Sequence, residues 1–229
     1  MTTHLPSFDY DAKGQQYARH RQTDPRIAAY VHAALKDSHT VLNIGAGAGS
    51  YEPEDKYVVA VEPSATMRAQ RLQRGKVPAI IGSAGSLPFD DNSFDASMAI
   101  YTIHHWPDAA AGLREMRRVT KGPVLIYTSD PDALDDFWNI HYFPEVVAAE
   151  KRRYPTIDFI TSTLGGRCEV QAIPVPLDCV DGFQEAFYGR PEAFLSPEVR
   201  ANQSAWGFVD EATVQRSVQH LADDLASGA

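Results

Sequence analysis

The sequence predicts an α/β fold, a doubly wound and mostly parallel sheet with helices on both faces. Three observations predict it. Short β-branched apolar runs alternate with helix-like stretches through the first 130 residues, the first run passes straight into a glycine-rich loop, and the second ends in a carboxylate.

Pro25 to Leu35 (PRIAAYVHAAL) sets Ile27, Tyr30, Val31, Ala34 and Leu35 on one face, an amphipathic helix that packs on the sheet. Thr40–Ile44 (TVLNI) is the first strand. Tyr57–Val61 (YVVAV), Val77–Ile81 (VPAII), Phe94–Ile100 (FDASMAI) and Val124–Thr128 (VLIYT) follow as strands, each too short and too β-branched for a helix. Ser64–Arg74 opens with a serine cap after Pro63, and Asp108–Val119 opens on aspartate and closes on basic residues, both signals of helices. Asp130–Tyr154 carries Trp, Tyr, Phe and His on helical spacing broken by prolines, which predicts a helical lid over the carboxyl ends of the strands. Glu169–Val175 alternates as a further strand with Pro174 marking an edge, and Asp210–Leu225 is a final amphipathic helix.

At 229 residues, and about 150 per domain, the chain is expected to be a single domain. Its parts are an N-terminal lid and helix (1–36), a ligand-binding core (37–129), and a substrate lid with C-terminal helices (130–229). Hydrophobic residues at 44 % and charged ones at 22 % suit a soluble globular chain. Thirty acidic against 21 basic residues give a net charge of −9, which argues against nucleic acid and anionic membrane surfaces as partners. No apolar run is long enough to span a membrane, and the mixed polar N-terminus resembles neither a signal nor a transit peptide. Cys168 and Cys179 lack metal-site or disulfide spacing, so no metal is expected and a reducing cytoplasm fits. Nothing distinguishes a monomer from a homodimer.

The most informative stretch is Val41-Leu42-Asn43-Ile44-Gly45-Ala46-Gly47-Ala48-Gly49-Ser50, a buried strand running into G-x-G-x-G. Glycines there let backbone approach a ligand where a Cβ would collide. A dinucleotide fingerprint needs its third glycine at position 50, which is Ser50, so the spacing argues against NAD. Seventeen residues after Gly45, at the end of the second strand, Glu62 is placed to accept both hydroxyls of a ribose. Loop and acid together define a nucleoside site at the carboxyl ends of the first two strands.

VLNIGAGAG, VAVEPS, GSAGSLPFDDNSFDA, IYTIHHWPD and REMRRVTKGPVLIYT together resemble the class I S-adenosylmethionine-dependent methyltransferases, in the branch that includes ubiquinone and menaquinone C-methyltransferase-like enzymes. The resemblance covers residues 10 to 130 and implies a Rossmann-like fold, S-adenosylmethionine as cofactor and a small-molecule methyl acceptor. It implies that Gly45, Ala46, Gly47 and Gly49 face the methionine and ribose, that Glu62 holds the ribose, and that Pro63 and Met67 cover one adenine face. Ser83 and Ala84 stand where the family has Asp-Ala; the Ala84 N–H would reach an adenine nitrogen and Ser83 would replace a carboxylate. Asn43 stands where the family commonly has aspartate. The stretch from Tyr10 through Tyr17 to Arg21 resembles the helix that folds over the methionine end, with Arg21 pairing the cofactor carboxylate and Tyr10 and Tyr17 at the lid.

Methyl transfer is an in-line displacement in which the protein orients, desolvates and, for some acceptors, supplies a base. His104 and His105 after the fourth strand are the candidate bases, Tyr101 lines the cofactor, and Asp130 orients a histidine or binds an acceptor amine. Trp138, His141, Tyr142 and Phe143, with Phe183, Phe187, Tyr188 and Trp206, either form a lid core or line a site for an aromatic or hydrophobic acceptor. An NAD-dependent oxidoreductase and a nucleoside-binding scaffold without turnover are the competing readings. The methylated atom, carbon, nitrogen or oxygen, is left open, with specialised metabolism as the expected setting.

Overall fold

The computed structural model describes residues 9, 11 and 20–228; Tyr10 and Tyr17 lie outside the described residues. Four strands form one sheet in the order β2-β1-β3-β4: β1 (Thr40–Ile44), β2 (Tyr57–Val61), β3 (Ala96–Ile100) and β4 (Val124–Tyr127). Every pairing is parallel, with Leu42 opposite Val59 and Ser97, and Met98 opposite Leu125.

The two-residue period of the strands sorts their side chains into two layers. Val41, Ala96, Met98 and Tyr127 point into one core, where Ile27, Ala28 and Val31 of helix α1 (Pro25–Ala34) pack. Leu42, Ile44, Ala99 and Ile126 point into the other, against Leu113 and Met116 of α3 (Ala109–Arg118) and Ile160 of α5 (Ile157–Leu164). Between β2 and β3 lies α2 (Ala65–Gln73), opened by Ser64, whose hydroxyl accepts the Met67 N–H at 3.1 Å. Asp24 opens α1 by accepting the Arg26 N–H, and it also accepts the Val180 N–H, which ties the C-terminal half to the first helix.

A third core belongs to the lid. Phe143 and α4 (Pro144–Arg153) pack with Phe187, Phe194, Ala205 and Trp206, and with Val214 and Leu221 of α7 (Glu211–Ser227). Short 3-10 turns at 134–136 and 138–140 lead into α4, and a short α6 (Pro197–Ala201) precedes α7.

Two expected strands do not form. Of Val77–Ile81, only Ile80 bridges the edge of β2, donating to Ala60 O and accepting from Glu62 N. Pro78 has no N–H to extend the ladder, and Val77 and Ile81 are exposed. Glu169–Val175 runs along the surface without pairing, Pro174 and Pro176 removing donors at its end, while Ile173 and Val175 rest on the α1 core. Among the described residues no helix is long and apolar enough to cross a membrane.

Candidate functional site

The carboxyl ends of β1, β2 and β3 open into a cavity of about 620 Å³. Gly45 leaves β1 at φ +65°, and a Cβ there would lie 2.1 Å from Thr102 Oγ1, so the loop closes tightly on the segment after β3. Gly47 differs: at φ +52° a Cβ would meet nothing closer than Met67 Cε at 3.5 Å and would project into open space. Gly45, Ala46, Gly47 and Ala48 all line the cavity. Gly49 does not, because it packs over the side chains of Glu52, Arg71 and Lys76, so its expected contact with a ligand is corrected to a structural one.

Glu62 is 6 % exposed and held by two backbone donors, the Gly47 N–H on Oε2 and the Ser64 N–H on Oε1, each at 2.8 Å. Arg68 directs Nη1 to the carbonyls of Glu62 and Pro63. Burial pushes the Glu62 carboxyl up, against the opposing pull of its two N–H donors. Such a group retains acceptor capacity for hydroxyl donors. Pro63, Met67, Ser83 and Ala84 line the same cavity, as the sequence leads one to expect. Asp11, which also lines the cavity, accepts the Ser64 hydroxyl at 2.6 Å and the Thr66 N–H at 2.9 Å.

Beneath the loop, Asn43 Nδ2 donates to Glu52 Oε1 at 2.8 Å, and Glu52 receives both Nη atoms of Arg71 at 2.6 and 3.1 Å. All three are buried. The pair is fully desolvated and needs this geometry to offset the loss of water. Asn43 Oδ1 is buried without a partner and its residue lines the cavity.

At the opposite end, Tyr101 turns at φ +47° and stacks on Phe183 at 5.1 Å. Its hydroxyl is buried and held well above its ordinary pKa by burial, so it stays protonated. His105 lines the cavity, and its Nδ1 lies 3.1 Å from Arg153 Nη2. Arginine can only donate, so Nδ1 is the acceptor and the neutral ring carries its proton on Nε2. Burial, then the Arg153 charge, hold His105 well below the usual histidine range. Its Nδ1 is thus already engaged where the ring meets the cavity. His104, 3.9 Å away between ring centroids, keeps a buried Nδ1 without a partner and is also held neutral by burial. His104 does not line this cavity but a smaller one behind Tyr101.

Arg21 lines the cavity but places Nε and Nη2 on Asp181 at 2.9 and 3.3 Å, a buried pair that matches its charge within the protein. Its expected pairing with a cofactor carboxylate therefore has an internal competitor. Asp130 folds back on the Asp132 N–H in a local turn outside the cavity. The aromatic set divides. Trp138, Phe143 and Trp206 form the lid core, Trp206 Nε1 donating to Gln184 Oε1 at 2.9 Å. Tyr142 bonds Asp224, the exposed Tyr188 bonds the Val175 carbonyl, and His141 sits on the surface near His220. None of the eight candidate acceptor-site residues lines the cavity. Sequence reasoning missed Glu52, Arg71, Thr102, Arg153 and Asp181, which act through contacts between distant segments that leave no local signal.

Residues 42–127 match the family profile described as a methyltransferase domain. The matched segment runs from within β1 to the end of β4 and carries the glycine loop, Glu62 and the segment after β3. The uncharacterised methyltransferase YcgJ of Bacillus subtilis is 34 % identical over 122 residues, covering 47 % of this chain and 48 % of YcgJ. A demethylmenaquinone methyltransferase of Corynebacterium efficiens is 38 % identical over 112 residues, covering 47 % and 46 %. The matched stretch thus spans about half the length of these curated relatives. A solved structure from Anabaena variabilis, provisionally named a methyltransferase from an antibiotic biosynthesis pathway, superposes with a TM-score of 0.81 at 28 % identity. It covers 91 % of this chain and 88 % of that one, so the likeness extends beyond residues 42–127 into the lid.

Proposed function

We propose that the protein is an S-adenosylmethionine-dependent methyltransferase acting on a small molecule, in the cytoplasm. The observation that carries the reading is Glu62, a buried carboxylate anchored by two backbone N–H groups beside an open glycine cradle. The residues present fit the cofactor on three counts. Gly47 leaves room that a Cβ would fill, Glu62 has acceptor capacity for the ribose hydroxyls, and the unpartnered Asn43 Oδ1 suits an ammonium donor. A volume of about 620 Å³ lies within the range of nucleotide-sized sites.

In this reading Gly45, Ala46 and Gly47 cradle the methionine and ribose, Pro63 and Met67 cover the adenine, and Ala84 with Ser83 meets its edge. When bound, the cofactor supplies an electrophilic methyl group. The chain supplies orientation and dryness: Tyr101, His105 and Trp106 wall the methionine end, and the His105 N–H serves as a fixed donor. His104 takes a proton where the acceptor must lose one.

The test is turnover. Incubating the full chain with S-adenosylmethionine and a pooled library of small acceptors should release S-adenosylhomocysteine and methylated product, detected by mass spectrometry. Release no greater than in enzyme-free controls contradicts methyl transfer to those acceptors.

A further inference from the structure

Behind Tyr101 lies a second, smaller cavity of about 30 Å³, whose wall includes Arg21, Tyr101, His104, Glu150, Tyr154 and residues 183–185 and is closed by residues 202–204. Arg21 and Tyr101 belong to both cavities, so the chamber adjoins the end of the site where the methyl group would be delivered. Its room suits about two waters or one small polar head group.

Resting on the methyltransferase reading above, we propose that this chamber takes the ammonium head of a small amine-bearing acceptor, held by the carboxylates of Glu150 and Glu185.

Its unmet hydrogen-bonding capacity points to a donor-rich guest. Glu150 is 6 % exposed, and its Oε2 has no partner. His104 Nδ1 and Gln184 Nε2 are likewise buried without partners. Glu150 Oε2 accepts, and His104 Nδ1 accepts in the tautomer protonated on Nε2; leaving such atoms unpaired is costly. Charge points the same way. Of the two nearby arginines, Arg21 is matched by buried Asp181, and Arg153 is engaged with His105 Nδ1, with Ser204 Oγ at 2.9 Å and over the Phe208 ring. Glu185 has one hydrogen bond, from the Ser129 hydroxyl at 2.7 Å. Two carboxyl groups, Glu150 and Glu185, face the chamber. Burial pushes both carboxyls up, and the charge of Glu185 adds to the effect on Glu150, against the pull of Arg153 on Glu150 and of Ser129 and Arg21 on Glu185; a cation between them would relieve both. The rings of Tyr101, Tyr154 and Phe183 provide the electron-rich wall that organic cations favour.

The test compares matched guests on the full chain: n-propylamine, n-propanol and propionate, and the benzyl analogues, titrated calorimetrically with and without saturating S-adenosylhomocysteine. The amines should bind about tenfold or more tightly than their neutral and anionic counterparts, and Glu150→Gln or Glu185→Gln should each weaken amine binding about tenfold. Both variants should bind S-adenosylhomocysteine as the native chain does, which also reports that they fold. Equal or better binding of alcohols or carboxylates, no binding by any amine, or amine binding unchanged in both folded variants would overturn the proposal. Amine binding without S-adenosylhomocysteine binding would sink the methyltransferase reading and leave the amine site standing.

Discussion

An aspartate at position 43 would face the carboxylate of Glu52 across the 2.8 Å contact that Asn43 fills with an N–H donor. The amide where the family commonly carries an acid thus follows from a local need, since Glu52 already supplies the negative charge that Arg71 requires. Asn43→Asp should cost about 1–3 kcal/mol of stability at neutral pH, read by thermal melting, and Glu52→Gln in the same chain should recover part of it. His105 yields a pH prediction. Its pKa in the folded chain lies well below the ordinary histidine value, so the unfolded state binds the proton more readily. The stability from its neutral form is complete above that value and is lost as pH falls through it toward the folded pKa. Nitrogen NMR should find the Nε2–H tautomer at neutral pH, and Arg153→Met should remove the preference. A ring protonated on Nδ1 at neutral pH would contradict the assignment.

At the scale of elements, the lid has its own hydrophobic core. Phe143 is fully buried among Phe194, Trp206 and α7 rather than turned to the cavity. Phe143→Ala should cost about 3–5 kcal/mol and speed hydrogen exchange in α4 and α7 far more than in β1 and β3. Uniform loss of protection across the sheet would contradict a separate lid core. The same contrast explains what the sequence discloses. The strand-loop unit from Thr40 to Gly49 and the carboxylate at Glu62 are legible because short-range chemistry dictates them: β-branched residues, glycines at positive φ, an acid at a strand end. Val77–Ile81 has the composition of a strand, but Pro78 breaks the donor series and only Ile80 pairs. The lid aromatics are legible as a cluster, yet their direction is set by how distant helices dock. Asp181 is the sharpest case, joined to Arg21 and to the Tyr51 hydroxyl at 2.7 Å across more than a hundred residues.

For the whole molecule, two adjoining chambers share Arg21 and Tyr101, one over the carboxyl ends of the strands with room for a nucleoside cofactor and one against the lid with room for a small polar head. The glycine cradle and Glu62 belong to the first, and the methyltransferase reading stands or falls on what fills it. Calorimetric titration of the full chain with S-adenosylhomocysteine, beside NADH in the same buffer, tests this most directly. The expected result is micromolar binding of S-adenosylhomocysteine alone, weakened at least about a hundredfold in Glu62→Ala, where two hydroxyl hydrogen bonds to a charged acceptor are lost. Binding of NADH in its place, or S-adenosylhomocysteine affinity indifferent to Glu62, would contradict it.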